Sequence, residues 1–429
     1  MLAALSKSAW HGLQAFVFYY PLFMACLWMM GAALFYWRFE RRDPPYSKPR
    51  PLPGSPPVSV LIPCFNEGPH VRETLRYALA LDYPDFEVIA IDDGSRDDTG
   101  EILDRMAPEN PRLRVVHLAQ NQGKAMALVA GSLLARHEIL IGIDGDALLD
   151  AHAAHWLVRH FVADPDVAAV TGNPRVRNRS TLLGRLQVGE FSSIVGMIKR
   201  AQRTFGRLFT VSGVITAFRR SAVHNIGYWS ADMLTEDIDI TWKLQRAGWD
   251  VRFEPRALVW ILMPETLRGL WKQRLRWATG GAQVLRKNLD VILHPTQNHL
   301  WPLLLELGVS LLWSYTLLAI VLLWLIGLAV PHSTVWVIGS PLIPERGGVL
   351  LASTCLLQFG LSKWLDSHYD SGLGRSGYLM IWYPLAFWLI NTAATAVGFA
   401  RAIKLGRGRR ARWVSPDRGA HLRVRRRRA

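Results

Sequence analysis

The chain has 429 residues, half of them apolar, and carries 50 Lys and Arg against 34 Asp and Glu for a formal charge of +16. That excess invites a nucleic-acid reading, but it lies beside apolar spans and in the tail from Arg401 to Arg428. With no basic helix bearing base-reading side chains and no aromatic stacking platform, nucleic acid is excluded as the partner.

Phe16 to Trp37 is an uncharged run of about 22 residues, enough to cross a hydrocarbon core roughly 30 Å thick. A signal peptide would want a basic start, a shorter apolar stretch and a small-residue cleavage site, whereas Gly31-Ala32-Ala33 is followed here by Leu34-Phe35-Tyr36-Trp37 and then Arg38. Arg38, Arg41, Arg42, Lys48 and Arg50 follow it while only Lys7 precedes it, so the positive-inside rule places the next domain in the cytoplasm. Residues 1–42 thus form a membrane anchor. The prolines of 43–57 make a linker that cannot hold helix. Three cysteines, Cys26, Cys64 and Cys355, have neither disulfide nor metal spacing and read as packing residues.

From Val58 the pattern alternates. Val58–Pro63, Phe86–Asp92, Leu113–Leu118 and Glu138–Asp144 are short β-rich runs, with helical spacing over Val71–Ala80, Thr99–Met106 and Lys124–Ala135 between them. This βαβ series predicts a parallel, doubly wound α/β sheet. Val167–Thr171 and Thr210–Phe218 are further strands, Ser180–Phe205 reads as one helix, and Glu236–Arg246 as another. Leu267–Leu289 mixes tryptophans and leucines with Lys and Arg, as in an amphipathic helix lying in the membrane interface. Trp301–Val330, Gly348–Leu365 and Gly377–Ala400 are apolar enough for membrane segments. Three crossings there would put the arginine-rich tail outside, against the positive-inside rule. Two complete crossings and one re-entrant or interfacial segment are therefore expected, with the tail of residues 401–429 cytoplasmic.

Polar clusters end the strands. Pro63-Cys64-Phe65-Asn66-Glu67 and Asp92-Asp93-Gly94-Ser95 fall at the carboxyl edge of the sheet, where open α/β folds bind nucleotides. Asp93 suits a uracil or ribose donor; an ordinary Asp-Gly turn is the plainer alternative. Lys124 follows Asn121-Gln122-Gly123 at a helix start that favours anions, although Leu118 and Ala125 rule out a Walker loop; a solvated lysine reads almost as well. Asp144-Gly145-Asp146 ends a buried strand with two acids of the kind that hold Mg²⁺ or Mn²⁺ against substrate phosphates. His152, His155 and His160 lie nearby without a carboxylate to complete a metal site, and read as surface or packing residues.

Thr235-Glu236-Asp237 opens a helix. Capping by Thr235 with early acids on the dipole is the plain reading; Asp237 as general base toward an acceptor hydroxyl is the chemical one. Gln273, Arg276 and Trp277 suit a diphosphate and a sugar face.

In this order, these residues resemble the processive family 2 glycosyltransferases, which include cellulose, chitin and hyaluronan synthases. Val170 to Arg175, Gln187 to Phe191, Val211 to Ile215, Trp260 to Leu267 and Ala411 to Gly419 further look like the catalytic subunits of bacterial poly-β-1,6-N-acetylglucosamine synthases from biofilm operons. The resemblance implies a GT-A type doubly wound mixed sheet over 58–264, interfacial helices over 265–300 and membrane segments over 301–400, in a multi-pass protein of the inner membrane. Pro63, Asn66, Glu67 and Lys124 are read as donor-binding from their place at the carboxyl edge of the sheet, and the resemblance implies that Asp93 binds the uridine of UDP-N-acetylglucosamine, that Asp144 and Asp146 flank its diphosphate with Asp146 on the metal, and that Asp237 is the base. Gln273, Arg276 and Trp277 then face the growing polysaccharide. A small membrane partner subunit and activation by cyclic di-GMP are implied too, with Arg409, Arg410 and Arg412 as the dinucleotide candidates or, more simply, as lipid-headgroup contacts. Trp413, Ser415 and Arg418 form a candidate gating loop. Other readings are a chitin- or hyaluronan-type synthase, a single-transfer enzyme acting on a polyprenyl phosphate, and a transporter or sensor without catalysis.

Overall fold

A computed structural model describes residues 2–329, 346–370, 372 and 383–405. The opening helix α1 (Leu2–Phe35) ends in a wider turn over Tyr36–Glu40. Then β1 (Val58–Cys64), α2 (Gly68–Leu79), β2 (Phe86–Asp92), α3 (Thr99–Met106), β3 (Leu113–His117), α4 (Lys124–Leu134) and β4 (Ile139–Ile143) alternate as expected. Every residue of β1, β2 and β4 is buried, the mark of central parallel strands covered on both faces.

The second half is less regular. It runs β5 (Leu148–Leu149), α5 (Ala153–Ala163), β6 (Val167–Val176), α6 (Leu182–Glu190), α7 (Met197–Phe205), β7 (Ile215–Arg219), α8 (Arg220–Asn225), α9 (Glu236–Arg246) and β8 (Asp250–Ile261). The eight strands form one sheet in the order β3-β2-β1-β4-β7-β6-β8-β5. β3, β2, β1 and β4 are mutually parallel, whereas β7 runs antiparallel to both β4 and β6. The sheet is therefore mixed, as the resemblance implies, and the parallel pairing expected from the βαβ series holds for β3, β2, β1 and β4. The reversal is functional. Because β7 enters where β1, β2 and β4 leave, the loop before Ile215 joins their carboxyl-terminal edge.

The segment read as one helix over Ser180–Phe205 is interrupted by a π-helical turn, Phe191–Gly196, between α6 and α7. Such an extra-wide turn rotates the faces of the helix beyond it. On α7 it leaves Lys199 and Arg200 both buried. Arg200 donates from Nε to Glu40 Oε1 at 2.6 Å and from Nη1 to Asp366 Oδ1 at 3.0 Å. Arg175 of β6 donates to Asp366 Oδ2 at 2.6 Å, and Tyr369 Oη donates to Glu40 Oε2 at 2.6 Å. Asp370 adds ion pairs with Arg175 and Arg179. This buried charge cluster ties the end of the first membrane helix and the sheet to a helix that comes much later in the chain.

After β8 come α10 (Leu267–Lys287), two short 3₁₀ turns (Leu289–Leu293 and Pro295–Leu300), α11 (Trp301–Ala329), α12 (Arg346–Asp366) and α13 (Tyr383–Lys404). Among the described residues, three helical stretches are long and apolar enough to cross a membrane: His11–Glu40, Pro295–Ile326 and Gly348–Asp366. In the first of them Cys26 is exposed, against the packing role expected for it; Cys64 and Cys355 are buried.

α10 is not simply laid on a membrane surface. One face is buried under the catalytic domain, and α13 packs against it so closely that a Cβ on Gly398 would lie 2.8 Å from Ala278 Cβ. Arg286 near the end of α10 donates to the carbonyls of Ala402 and Leu405. Gly398→Leu is expected to cost about 1–3 kcal/mol through overpacking. Thermal unfolding of the detergent-solubilised protein measures this, and an unchanged midpoint would show that the contact gives way.

Candidate active site

The edge formed by β1, β2 and β4 collects the first three motifs. After β1, Asn66 adopts a left-handed φ of 55°, and its side-chain oxygen accepts the Arg96 N–H at 2.9 Å, so Asn66 braces the turn after β2. Glu67 is fully buried, and its N–H donates to Thr99 Oγ1 at 2.8 Å. Both oxygens of Asp93 accept backbone N–H groups, from Gln122 at 2.7 Å and Gly123 at 2.8 Å. Burial pushes the Asp93 carboxyl up against the opposing pull of those two bonds. Asp93 is thus the clamp that sets the start of α4, where Lys124 stands. Pro63, Cys64, Phe65, Asp93, Lys124 and Asp144 line one small cleft.

Lys124 is the hub. Its Nζ lies 2.5 Å from Asp144 Oδ1 and 3.2 Å from Glu236 Oε1, and it donates to the Gly213 carbonyl at 3.0 Å. Burial acts to lower its pKa, but Asp144 and Glu236 outweigh that and hold the ammonium above the ordinary lysine value. The solvated-lysine alternative is corrected: Lys124 is enclosed between carboxylates of β4's exit and of α9. Asp146, next along that exit, is 6 % exposed. Among the described residues no three His, Cys, Asp or Glu side chains converge into a metal cage. Two carboxylates at a strand exit are a donor set that can hold a divalent cation together with substrate phosphates.

α9 brings the second acid to the same place. Asp237 Oδ2 accepts the Gly213 N–H at 3.3 Å and Oδ1 accepts its own helix's Ile238 N–H at 2.9 Å. Burial and the neighbouring Glu236 push its carboxyl up to about 6, opposed by Lys124 and Arg276. Capping fails as an explanation for Thr235. Its hydroxyl caps nothing and sits against Gly280 of α10, where a Cβ would come within 2.2 Å of it.

α10 supplies the fourth motif. Gln273 is buried with its Oε1 unpartnered among the described residues, Arg276 is near enough to Asp237 to act on its charge, and Trp277 packs at the edge of the main core. Arg274 sits 4.5 Å from the Trp277 ring centroid and forms a two-pronged ion pair with Glu190 of α6, so this arginine orients the helix and its tryptophan. Asp93, Lys124, Asp144, Asp237 and Arg276 are therefore brought together.

The histidines stay apart: His160 bonds Glu254 at 2.9 Å, and His152 pairs with Asp82. Arg409, Arg410, Arg412, Trp413, Ser415 and Arg418 lie outside the described residues. Reading the sequence missed Glu236 as a partner of Lys124, and Gly213 as the backbone bridge between Lys124 and Asp237. The Ser212-Gly213 pair just before a strand was the available signal.

Comparison with known proteins places this site in a family. The family described as "Glycosyltransferase like family 2" matches residues 56–280, from the linker to the middle of α10. A poly-β-1,6-N-acetyl-D-glucosamine synthase of Staphylococcus aureus (strain COL) is 38 % identical over 412 residues, covering 94 % of this chain and 98 % of that protein. One of the same name from Staphylococcus epidermidis is 37 % identical over 414 residues. Among solved structures, mannosyltransferase PcManGT from Pyrobaculum calidifontis, in complex with GDP-Man and Mn²⁺, aligns with a TM-score of 0.56 at 20 % identity over 91 % of this chain and 99 % of that one, a likeness of fold. With a matching sheet, an ordered acidic edge and relatives that align from end to end, the chain is a membrane-associated enzyme of glycosyltransferase family 2.

Proposed function

We propose that the enzyme builds a β-1,6-linked N-acetylglucosamine polymer by processive, inverting transfer from UDP-N-acetylglucosamine. The observation that carries this is the near full-length identity to synthases of that name, extending through the membrane helices as well as the catalytic domain. Asp144 and Asp146 would hold Mg²⁺ or Mn²⁺, which would neutralise charge on the departing diphosphate. Asp93 and Lys124 shape the donor cleft. Asp237 takes the proton of the acceptor's 6-hydroxyl as that oxygen bonds to the anomeric carbon and the bond to UDP breaks on the opposite face. The buried anion beside Glu236 is a stronger base than an exposed aspartate. Arg276 and Trp277 face the acceptor end, where a ring can stack on a sugar.

The reading places the catalytic domain in the cytoplasm of a bacterial cell, with the polymer moved outward through the inner membrane. α12 ends at Asp366 against the catalytic domain, and α13 ends against α10, whose buried face lies under that domain. This supports two crossings after the catalytic domain and a tail on the cytoplasmic side. A cysteine placed at Arg418 should resist a membrane-impermeant label in intact cells; rapid labelling would move the tail outside. The decisive test supplies purified membranes, with any small partner subunit co-expressed, with UDP-N-acetylglucosamine and Mg²⁺. A β-1,6 product by linkage analysis is expected. A β-1,4 polymer or a singly glycosylated lipid would replace this reading.

A further inference from the structure

Lys199 on α7 is 5 % exposed, yet among the described residues no carboxylate pairs with it directly. A buried ammonium without a counter-ion is costly and calls for compensation. Its protons go to hydroxyls instead: Ser212 Oγ at 2.5 Å and Thr171 Oγ1 at 3.4 Å. Thr171 Oγ1 also accepts the Ser212 N–H at 2.7 Å, and Thr216 Oγ1 donates to the Ser212 carbonyl at 2.7 Å, so Ser212 is held on three sides. The next residue is Gly213, whose N–H binds Asp237 and whose carbonyl binds Lys124. A Cβ there would lie 3.1 Å from Lys124 Nζ and 3.3 Å from Asp237 Oδ2, so the backbone itself is the spacer between base and donor lysine.

We propose that Lys199 is a positioning residue for sugar transfer, fixing Ser212 so that the Gly213 backbone holds Asp237 and Lys124 in register and adding a positive charge behind the base. The proposal rests on the reading of Asp237 as base. Burial brings the Lys199 ammonium down to about 7 while Asp237 pulls it up, so the two groups sense one another. Glu236, Lys124 and Arg276 are the other charged groups facing Asp237, and the Phe253 ring lies beside Lys199, its centroid 5.9 Å from Nζ.

The test uses the full chain in membranes and measures polymer synthesis from UDP-N-acetylglucosamine across pH for Lys199→Met, Lys199→Gln, Ser212→Ala and the Lys199→Met/Ser212→Ala pair. Lys199→Met should lower kcat by roughly 10- to 100-fold with little change in donor KM, as misplacing a catalytic group does. The double variant should be no worse than its poorer parent, because both act through one contact. Without the cation the acid limb of the pH profile should move to higher pH in both Lys199 variants. Lys199→Gln keeps a donor to Ser212 and should recover most of the rate at high pH. Wild-type kcat in both Lys199 variants, a lowered kcat with an unmoved limb, or additive losses would each overturn the proposal. If Lys199→Met fails to fold, Lys199→Gln and Ser212→Ala decide it alone. Synthesis that survives Asp237→Asn would sink the base assignment itself, whereas a dead Asp237→Asn beside wild-type Lys199 variants would sink only this inference.

Discussion

Asp237→Asn is expected to lower polymer synthesis by roughly 10²- to 10⁴-fold, the usual worth of a general base. Donor binding should persist, since the role proposed for Asp237 is toward the acceptor hydroxyl and not toward the nucleotide. Activity of the parent should fall as pH drops through about 6, where Asp237 takes up a proton and ceases to act as a base. Its effect on stability has the opposite sense. A carboxyl raised above its unfolded value binds its proton more tightly in the folded protein, so it favours folding below the unfolded pKa, and that contribution is lost as pH rises through the folded pKa. At neutral pH the anion is thus held at a cost. The asparagine variant should melt no lower than the parent, so inactivity together with an unchanged or raised midpoint isolates chemistry from folding. Polymer output within tenfold of wild type would remove Asp237 from the mechanism.

The second large effect concerns stability. Asp366→Ala removes the carboxylate shared by Arg175 and Arg200, whose side chains are each 1 % exposed, and leaves Arg200 with Glu40 and Arg175 with Asp370 as their remaining partners. Breaking a buried pair on one side typically costs about 3–5 kcal/mol, because the charge left behind is no longer fully compensated. The expected result is a large fall in the unfolding midpoint of the solubilised enzyme. A loss below about 1 kcal/mol would mean that water reaches the cluster and screens it, as at a surface pair.

What could be read from the chain follows from how each signal is written. The first four strands and the helices between them carry local, uninterrupted apolar runs, and their ends fell within a few residues of expectation. β8 was missed because Arg252, Glu254 and Arg256 interrupt its apolar pattern; the fold pairs them with Asp164, His160, Asp43 and one another. The direction of β7 is set by what it pairs with, which no local pattern encodes. The π-helical turn before α7 was invisible for a related reason: one extra residue in a turn leaves helical spacing nearly intact while rotating everything beyond it.

The site divides the same way. Acids at strand ends announced themselves, but Glu236 looked like a dipole-complementing residue because its partner Lys124 lies far away in sequence. Arg274 read as one of the charges of an amphipathic interfacial helix, and only the packed structure shows Glu190 closing on it.

The cluster around Arg200 also bears on the order in which the protein can be made. Arg175 and Arg200 leave the ribosome 191 and 166 residues ahead of Asp366. Until α12 arrives, Arg175 lacks both of its carboxylates, Asp366 and Asp370, and Arg200 has Glu40 alone, so a nascent catalytic domain would bury two under-compensated arginines. Completion of the catalytic domain is thereby tied to the arrival of α12, and a chain truncated before α12 should be cut by proteases more readily than the full-length protein.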